Sequence, residues 1–444
     1  MPIAVFLKEN LKNIPPYLGI NLNRIPYRFR PGIGSIYNKR KKEINSFELM
    51  TKTEQQAFIF NKIKTIVEFS YNNIKFYKEY YNTSGFVPNQ LKIFSDIQKI
   101  PITTKEIFNN YNIEDRSFKA EGRYKVNTGG TSGTPFGLYI LPNSMGHEWA
   151  HIHTIWDKLG YKASDLKLVF GGRSDVKQLV EYDVVRNHFG LDIYSEYHKV
   201  AIKLKEIIKK YKIKYLHGYP SSIYDFTVFC KNNDNELLHG LKKQLEGVFL
   251  SSEYPHTHYR EFIENAFEVD TISWYGHTER AVLAYEKEEK FVYHPFHTYG
   301  YSEAIQNEEE YDLTSTSYYN FASPLIRYNT QDKINKLHYK NDILESFTIT
   351  KGREGEFILD KNNKKISLTG FIFGRHHTLF NHSKFIQVKQ ISKGKIEIHY
   401  VSSTISEDKA KDMFDSNNLL LDITFKKKMK PVRTLSGKIN LLIQ

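Results

Sequence analysis

Residues 128–134 read Thr-Gly-Gly-Thr-Ser-Gly-Thr, and Pro135 follows directly. Glycine lets a loop take positive φ and lets a ligand come close to the backbone. The exposed N–H groups of such a loop form a nest for phosphate oxygens. Hydroxyl groups that could join them come from Thr128, Thr131, Ser132 and Thr134. The loop lies between strand-like stretches at 124–126 and 136–141, which favours a hairpin over a linker. We predict a phosphate-binding hairpin loop, with a flexible surface turn as the alternative.

The loop ends without the Gly-Lys-Ser/Thr of a Walker motif, so the pattern does not favour a P-loop NTPase. The chain has 444 residues, enough for two or three domains, and 14% of them are aromatic. Its single cysteine, Cys230, excludes a disulfide framework and a multi-cysteine zinc site. We see neither a signal peptide nor a membrane span and expect a cytoplasmic protein.

The net charge of +13 suits anionic partners such as nucleic acid or phosphorylated metabolites. Most lysines are scattered or paired along helix-like stretches, and only Lys426–Lys428 forms a dense run. We therefore interpret the charge as a solvated surface and expect no specific nucleic-acid binding.

The order of patterns along the chain predicts an α/β fold with layered sheets. We predict residues 1–50 as an irregular extension, since Pro15, Pro16, Pro26 and Pro31 interrupt it. Strand-like and helical stretches alternate over 158–267, which indicates a largely parallel sheet. The predicted strands are 166–170, 215–216 and 247–250, and the predicted helices are 177–189, 200–211, 221–232 and 256–266. Short strands follow over 272–349, and a small α+β domain over 351–444.

Residues His147, Glu148 and His151 match the zinc motif His-Glu-x-x-His, in which two histidines one helical turn apart bind the metal. No downstream signature offers a third ligand. We expect a helix over 145–156 whose histidines form a polar wall of a substrate pocket, with ordinary packing as the alternative.

Further motifs occur in a fixed order along the chain, two before the loop and five after it. They are Asn72–Tyr77, Ile100–Lys105, His217–Ser222, Trp274–Glu279, Ser323–Asp332, Gly352-Arg353 and Arg433–Lys438. This series resembles the adenylate-forming superfamily, within it the phenylacetate–coenzyme A ligase branch and its capsular-polysaccharide adenylating proteins. The likeness extends over nearly the whole chain from about residue 53.

The resemblance implies that ATP activates a carboxylic acid as an acyl-adenylate and that pyrophosphate leaves. The catalytic residues would be Thr131, Glu279 as the Mg²⁺ ligand, and Lys438 beside the α-phosphate. The loop from Thr128 through Gly129, Gly130, Thr131, Ser132 and Gly133 to Thr134 would hold the β and γ phosphates. Asp332 and Arg353 would bind the ribose. The remaining nucleotide contacts would come from Ser251, Ser252, Glu253, Tyr275, Gly276, His277 and Thr278.

The resemblance also implies two domains, an adenylating domain over 1–350 and a mobile C-terminal domain over 351–444 with its hinge near 351–353. Closure would deliver Lys438, which would supply the charge that the glycine loop lacks. The acid would lie among His147, His151, Arg173, His217 and Tyr219. Coenzyme A or an amine, such as an amino sugar, would accept the acyl group. The alternative is a non-catalytic nucleotide-binding or assembly protein that kept this fold.

Overall fold

We describe the fold from a computed structural model, which covers residues 14–443 except 31, 130–134, 172–175, 177, 308, 351–356, 374, 376, 384 and 433–440. The α-helices are α1 (Pro16–Leu22), α2 (Gly34–Phe47), α3 (Lys52–Asn73), α4 (Lys75–Thr83), α5 (Lys105–Asn109), α6 (Ser144–Asp157), α7 (Tyr197–Lys210), α8 (Pro220–Asn233), α9 (Asn235–Lys242), α10 (Thr257–Phe267) and α11 (Glu407–Asp412). Short 3-10 helices cover Tyr27–Phe29, Pro88–Gln90, Phe94–Lys99 and Thr378–Asn381, and a π-helical turn covers Thr369–Phe373.

Most of the strands belong to one mixed sheet. The strands are β1 (Tyr124–Gly129), β2 (Pro135–Ile140), β3 (Leu166–Phe170), β4 (Val180–Asp183), β5 (His188–Leu191), β6 (Ile213–Gly218), β7 (Gly247–Leu250), β8 (Thr271–Gly276), β9 (Leu283–Glu286), β10 (Tyr293–Pro295), β11 (Gly300–Asn307), β12 (Glu310–Ser317), β13 (Tyr328–Lys340), β14 (Ile343–Ile349), β15 (Phe357–Leu359), β16 (Lys365–Ser367), β17 (Phe385–Ser392), β18 (Lys395–Val401), β19 (Asp422–Lys427) and β20 (Leu442–Ile443).

The large sheet has the strand order β11-β12-β13-β14-β10-β9-β8-β7-β6-β3-β5-β4. Strands β3, β6, β7 and β8 pair in parallel, and helices α7, α8 and α10 connect the parallel strands. Nearly every residue of β3 and β7 is buried, as expected for parallel strands that are covered on both faces. The part from β8 to β14 is antiparallel. The predicted α/β fold with a largely parallel sheet over 158–267 is confirmed.

The glycine loop connects a true hairpin. Strands β1 and β2 pair antiparallel from Tyr124↔Ile140 to Gly129↔Pro135. Phe136, Leu138 and Ile140 of β2 are buried, while Gly137 and Tyr139 alternate to the other face. The predicted hairpin is confirmed, and the connecting residues 130–134 lie outside the described part of the chain.

The predicted helix over 177–189 is wrong, because β4 and β5 form an antiparallel hairpin there. The turn is stabilised by Asp183, whose side chain accepts hydrogen bonds from the backbone N–H and the guanidinium of Arg186. Asn187 takes φ 50°, a left-handed conformation that a helix does not allow. Val180 and Val184 are four residues apart, which fits the spacing of a helical face. Asp183 and Asn187, however, are residues typical of a turn.

The prediction that residues 1–50 are irregular is also wrong in part. Helix α2 is fourteen residues long and lies between Pro31 and the capping box at Thr51 and Glu54 that starts α3. Its contacts with α6 include a hydrogen bond from Lys41 Nζ to Thr154 Oγ1 of 2.9 Å. The prolines mark the edges of this segment and do not interrupt its helix.

The segment after residue 356 is a small α+β unit, as predicted. It contains the sheet β19-β18-β17-β20, the pair β15-β16 and helix α11. Its apolar residues join the same buried cluster as strands β3, β6 and β7. Lys364 Nζ donates to the carbonyls of Ile193 at 2.6 Å and Ser195 at 2.9 Å. The boundary at residue 350 and the mobility of this unit stay predictions. Within the described residues, no helix has the length and apolar character of a membrane span.

Candidate active site

Three of the predicted motifs meet at one edge of the parallel sheet. Tyr219 directly follows β6, Ser251 follows β7 and His277 follows β8. Because these strands are parallel, their carboxyl ends lie side by side, where α/β sheets bind ligands. Gly218 permits the approach of two strands: a Cβ on it would lie 2.2 Å from the carbonyl oxygen of Phe170, and its φ is +150°.

Asp332 lies at this edge, although 57 residues separate it from Tyr275. The hydroxyl of Tyr275 donates a hydrogen bond of 2.6 Å to Oδ2 of Asp332. The backbone around Asp332 is fixed by Gln331, whose φ is +63° and whose N–H donates to Asn329 Oδ1 at 2.7 Å. Burial and the Asp332 charge raise the pKa of Tyr275 well above its ordinary value, so its hydroxyl stays protonated and donates. The two predicted nucleotide-binding motifs are therefore brought together.

Glu279 forms a pair with His277 in the turn after β8. Oε2 of Glu279 lies 3.3 Å from Nδ1 of His277. Burial lowers the pKa of His277, but the hydrogen bond and charge of Glu279 outweigh this, and the pKa is raised. The side chain of Glu279 keeps 13% of its surface exposed. The turn therefore presents a carboxylate at the strand edge with a cationic neighbour at mildly acidic pH.

The turn after β7 joins three parts of the chain through Glu253. Ser252 takes φ +68°, which turns the chain and directs it back over the edge. Oε2 of Glu253 accepts from the Ser221 hydroxyl at 2.6 Å, at the start of α8. Oε1 accepts from the Ser367 hydroxyl at 2.5 Å, in the C-terminal unit. No local pattern around Ser367 indicates this contact, because the two residues are 114 positions apart.

His217 and Tyr219 lie beside an aromatic cluster behind this edge. The His217 ring packs 5.1 Å from Trp156 and 5.7 Å from Trp274. Nε2 of His217 lies 3.3 Å from Ser251 Oγ. Burial, and then the charge of Lys167, lowers the pKa of His217 to about 3, so the ring is neutral at pH 7. Tyr219 is 9% exposed. That both residues contact an acid substrate stays a prediction.

Known proteins resemble most of this chain in sequence or in fold. Protein CapK of Staphylococcus aureus is 24% identical over 316 residues, 68% of each chain. Phenylacetate-coenzyme A ligase of Escherichia coli (strain K12) is 25% identical over 112 residues, 25% of each chain. The crystal structure of 2-hydroxyisobutyryl-CoA ligase in the thioesterification state matches the fold with a TM-score of 0.56 and 14% identity, covering 89% of this chain and 90% of that one. No protein-family model matches.

The sequence is similar to CapK and to phenylacetate-coenzyme A ligase, and the fold is similar to that of 2-hydroxyisobutyryl-CoA ligase. The 2-hydroxyisobutyryl-CoA ligase of this comparison was solved with 2-HIB-AMP and CoA.

The His-Glu-x-x-His helix α6 forms as predicted, but His151 does not line a pocket. His151 is fully buried; its Nδ1 lies 2.7 Å from the His147 carbonyl and its Nε2 lies 2.9 Å from Thr298 Oγ1. Both ring nitrogens are used by the protein, so packing describes this residue and the predicted substrate contact is corrected.

His147 and Glu148 are held by neighbours of α6 as well. The His147 ring stacks on Tyr319 at 3.9 Å, and Glu148 accepts from the Tyr299 hydroxyl at 2.6 Å. In the part of the chain that the structure describes, no group of three or more His, Cys, Asp or Glu side chains could hold a metal ion. Among the described residues the zinc alternative therefore has no ligand set, and a role of His147 beside the substrate stays a prediction.

Several predicted site residues lie outside the described residues. They are Gly130, Thr131, Ser132, Gly133, Thr134, Arg173, Arg353 and Lys438. Thr128 and Gly129 are described as part of β1 by their backbone alone. Gly276 ends β8, and Thr278 lies between His277 and Glu279. The roles assigned to all of these residues stay predictions.

Proposed function

We propose that this chain activates a carboxylic acid with ATP, forming an acyl-adenylate and releasing pyrophosphate. The observation that carries the proposal is the meeting of Asp332 with Tyr275, next to the pair His277 and Glu279, at the carboxyl edge of the parallel strands. These residues come from two distant motifs of the superfamily, and chance would not bring both to one strand edge.

The carboxylate of Asp332 suits the ribose of ATP. An ionised carboxylate accepts hydrogen bonds from hydroxyl groups, and such charge-assisted bonds are short and strong. The Tyr275 hydroxyl occupies Oδ2 and fixes the orientation of the group. Ser251, Ser252 and Glu253 flank the base from the adjacent strand end.

Glu279 suits the Mg²⁺ that accompanies ATP. Magnesium prefers hard oxygen ligands and is commonly held by one or two carboxylates plus substrate phosphates and water. A single partly exposed carboxylate fits that donor set, whereas a cage of several protein ligands is absent among the described residues. When bound, the ion would neutralise phosphate charge. Lys438 would contribute its charge beside the α-phosphate.

The acid is proposed to lie between α6 and the sheet, near His217 and Tyr219. The neutral His217 ring and the indoles of Trp156 and Trp274 give this region an apolar wall with one polar group. We propose a small acid with a polar substituent. The acyl group would pass to coenzyme A or to an amine, and the similarity to CapK supports a role in surface polysaccharide synthesis, with an amino sugar as the amine.

The test is acid-dependent release of pyrophosphate from ATP and Mg²⁺ over a panel of carboxylic acids, with mass spectrometry of the acyl-AMP formed from cell extract. We expect one group of acids to stimulate release and the Lys438→Ala variant to lose that stimulation. If no acid stimulates release while ATP still binds, the chain is a nucleotide-binding protein without this reaction. Coenzyme A and amines, added after acyl-AMP has formed, then distinguish the two acceptors.

A further inference from the structure

Helix α1 buries its small and polar residues and exposes its large apolar ones. Gly19, and Asn23 directly after the helix, are buried against the rest of the chain. On the opposite side of the helix, Tyr17, Leu18 and Leu22 are between 47% and 59% exposed. A surface helix that packs on a protein core ordinarily has the reverse arrangement, with its apolar side covered and its polar side in water. The apolar side of α1 is therefore left without a protein partner.

The exposed apolar surface continues beyond α1. Ile25 is 49% and Phe29 63% exposed, so five large apolar side chains are uncovered within residues 17–29. The next richest stretch of equal length among the described residues, 420–432, has three. Single exposed apolar residues are ordinary, whereas a group of them marks a surface that another body covers. We call this group the apolar face; its members are Tyr17, Leu18, Leu22, Ile25 and Phe29.

Arginines accompany the apolar face, and no carboxylate lies near them in the sequence. Arg24 and Arg28 are both exposed. The guanidinium carbon of Arg28 lies 4.7 Å from the centre of the Phe29 ring, so this charge stands directly beside an apolar member of the face. The chain contains no Asp or Glu from residue 10 to residue 42. The body that fits this surface is therefore apolar inside and anionic at its boundary.

The segment that carries the face is attached at the amino edge of the parallel strands. Asn23 Nδ2 donates to the carbonyl of Val184 at 2.7 Å, and Arg30 Nη1 donates to that of Val185 at 3.4 Å. These valines lie in the turn between β4 and β5, directly before His188, which pairs near the start of β3. Since β3 runs parallel to β6, this turn lies at the edge opposite to the candidate site. A large body on the apolar face would leave that site open.

The carboxylate of the same turn is already occupied. Asp183 ends β4, and its Oδ2 lies 2.8 Å from Nη1 of Arg186, with which it forms an ion pair. The turn therefore adds a balanced pair of charges next to the segment and does not neutralise Arg24 or Arg28.

We propose that residues 17–29 dock the protein on an anionic membrane surface, with the apolar face among the lipid headgroups and Arg24 and Arg28 at the phosphates. Interfacial helices combine exposed leucine and aromatic side chains with cations in this way. The long arginine stem stays in the headgroup layer while its planar fork meets phosphate oxygens. A membrane is favoured over a folded protein partner because the five apolar side chains project from the surface, and a fluid lipid layer can surround projecting side chains.

The test is sedimentation of the full chain with vesicles of phosphatidylcholine and phosphatidylserine at about two to one, compared with phosphatidylcholine alone. We expect binding to the anionic vesicles only, and weaker binding as added salt screens the arginines. Leu22→Gln combined with Phe29→Gln should lower the partition coefficient at least about tenfold, because two inserted apolar side chains are lost. Arg24→Gln combined with Arg28→Gln should lower it about 25-fold, at about fivefold per charge.

Two control variants make the same chemical changes elsewhere in the chain. Ile202→Gln alters a residue of α7 that is 67% exposed and apolar. Lys427→Gln combined with Lys428→Gln removes two exposed charges from the lysine run 426–428. Both controls should partition within about twofold of wild type, since binding depends on the side chains that reach the lipid. A larger loss from the lysine pair than from the arginine pair would place the contact at that run and overturn the proposal.

A wild-type chain that stays in solution with both kinds of vesicle overturns the proposal, whichever other body covers the face. Wild-type partitioning of the Leu22→Gln and Phe29→Gln variant overturns it as well; if that variant does not fold, the arginine pair decides in its place. Sedimentation velocity without vesicles examines a second copy of the chain. A dimer that this variant dissociates, in a protein that binds no vesicles, would assign the face to self-association. The vesicle measurement needs neither ATP nor an acid, so its result is independent of the proposed reaction.

Discussion

Helix α6 and the turn after β8 each place a histidine and a glutamate within a few residues, but the two regions treat them in opposite ways. In α6, the core surrounds the side chains, and burial lowers the pKa of both His147 and His151 to about 3. In the turn, His277 faces Glu279, and its pKa is raised. Both regions contain histidine and glutamate, so burial, and not residue type, decides which of these side chains a ligand can reach.

The difference follows from where each set lies on its element. The two histidines of α6 are four residues apart on one helical face, and that face is covered by Tyr319, Thr298 and Phe296. The turn after β8 lies at the carboxyl edge of the sheet, where each strand ends and its last side chains are left uncovered. A motif with a demanding spacing can therefore lie in the core, whereas two nearby polar residues at a strand end keep part of their surface exposed.

The largest expected effect comes from the carboxylate of the turn. We expect Glu279→Gln to reduce acid-dependent pyrophosphate release about 100-fold or more, because the charge that balances the metal and phosphates is lost. Glu148→Gln is the matched change in α6, where Tyr299 already holds the carboxylate, and it should stay within about threefold of wild type. Equal losses in the two variants would remove the distinction between the regions.

The pH dependence of stability should differ in sign between the two histidine sets. His151 is neutral in the folded chain down to about pH 3, whereas an unfolded histidine gains its proton near pH 6.5. The contribution of the neutral His151 ring to the free energy of unfolding is therefore fully present above pH 6.5. Below that pH it is lost by about 1.4 kcal/mol per pH unit. The raised pKa of His277 acts the other way, and its contribution is lost as the pH rises through that pKa.

Urea unfolding between pH 5 and 8 measures both slopes. His151→Gln should flatten the loss of unfolding free energy on the acid side, and His277→Gln should flatten the loss on the alkaline side. The same direction of change in both variants would contradict the opposite pKa shifts.

A smaller effect is expected at the ribose position. Asp332→Asn keeps the size of the side chain and the acceptor for the Tyr275 hydroxyl, but it removes the charge. We expect the KM for ATP to rise about tenfold with little change in kcat, as the loss of one charge-assisted hydrogen bond predicts. Steady-state kinetics with ATP varied at saturating acid provide the measurement, and a loss in kcat alone would speak against a ribose contact.

The smallest effect is expected from zinc chelation. Since the ring nitrogens of His151 are bonded within the protein, we expect 1,10-phenanthroline to leave acid-dependent pyrophosphate release unchanged when Mg²⁺ is in excess. Elemental analysis of the purified chain should show no stoichiometric zinc. Inhibition that added zinc reverses would assign a metal role to α6 after all.

The parts of the fold that could be predicted from sequence are those with local signals. The helical period of α6 and the apolar runs of strands β3 and β7 depend on neighbouring residues, and the structure confirms these elements. The region of β4 and β5 shows the limit of such reasoning, because Val180 and Val184 fit two periods and the turn at Asp183 and Asn187 decides between them.

The candidate site was only partly predictable for a different reason. The motifs containing Glu279 and Asp332 could be found in the sequence, but the bond from Tyr275 to Asp332 depends on how β8 and β13 are placed in the sheet.

The carboxylate of Glu253 couples ligand binding to the attachment of the C-terminal unit. One oxygen is held by Ser221 at the start of α8, and the other by Ser367 of the C-terminal unit. A ligand that needs the second oxygen must displace Ser367 and so weakens the attachment of that unit. By reciprocity, a change that breaks the bond between Ser367 and Glu253 must strengthen the binding of that ligand by the same factor. A single serine hydroxyl thus links the affinity of the site to the position of residues more than a hundred places away in the chain.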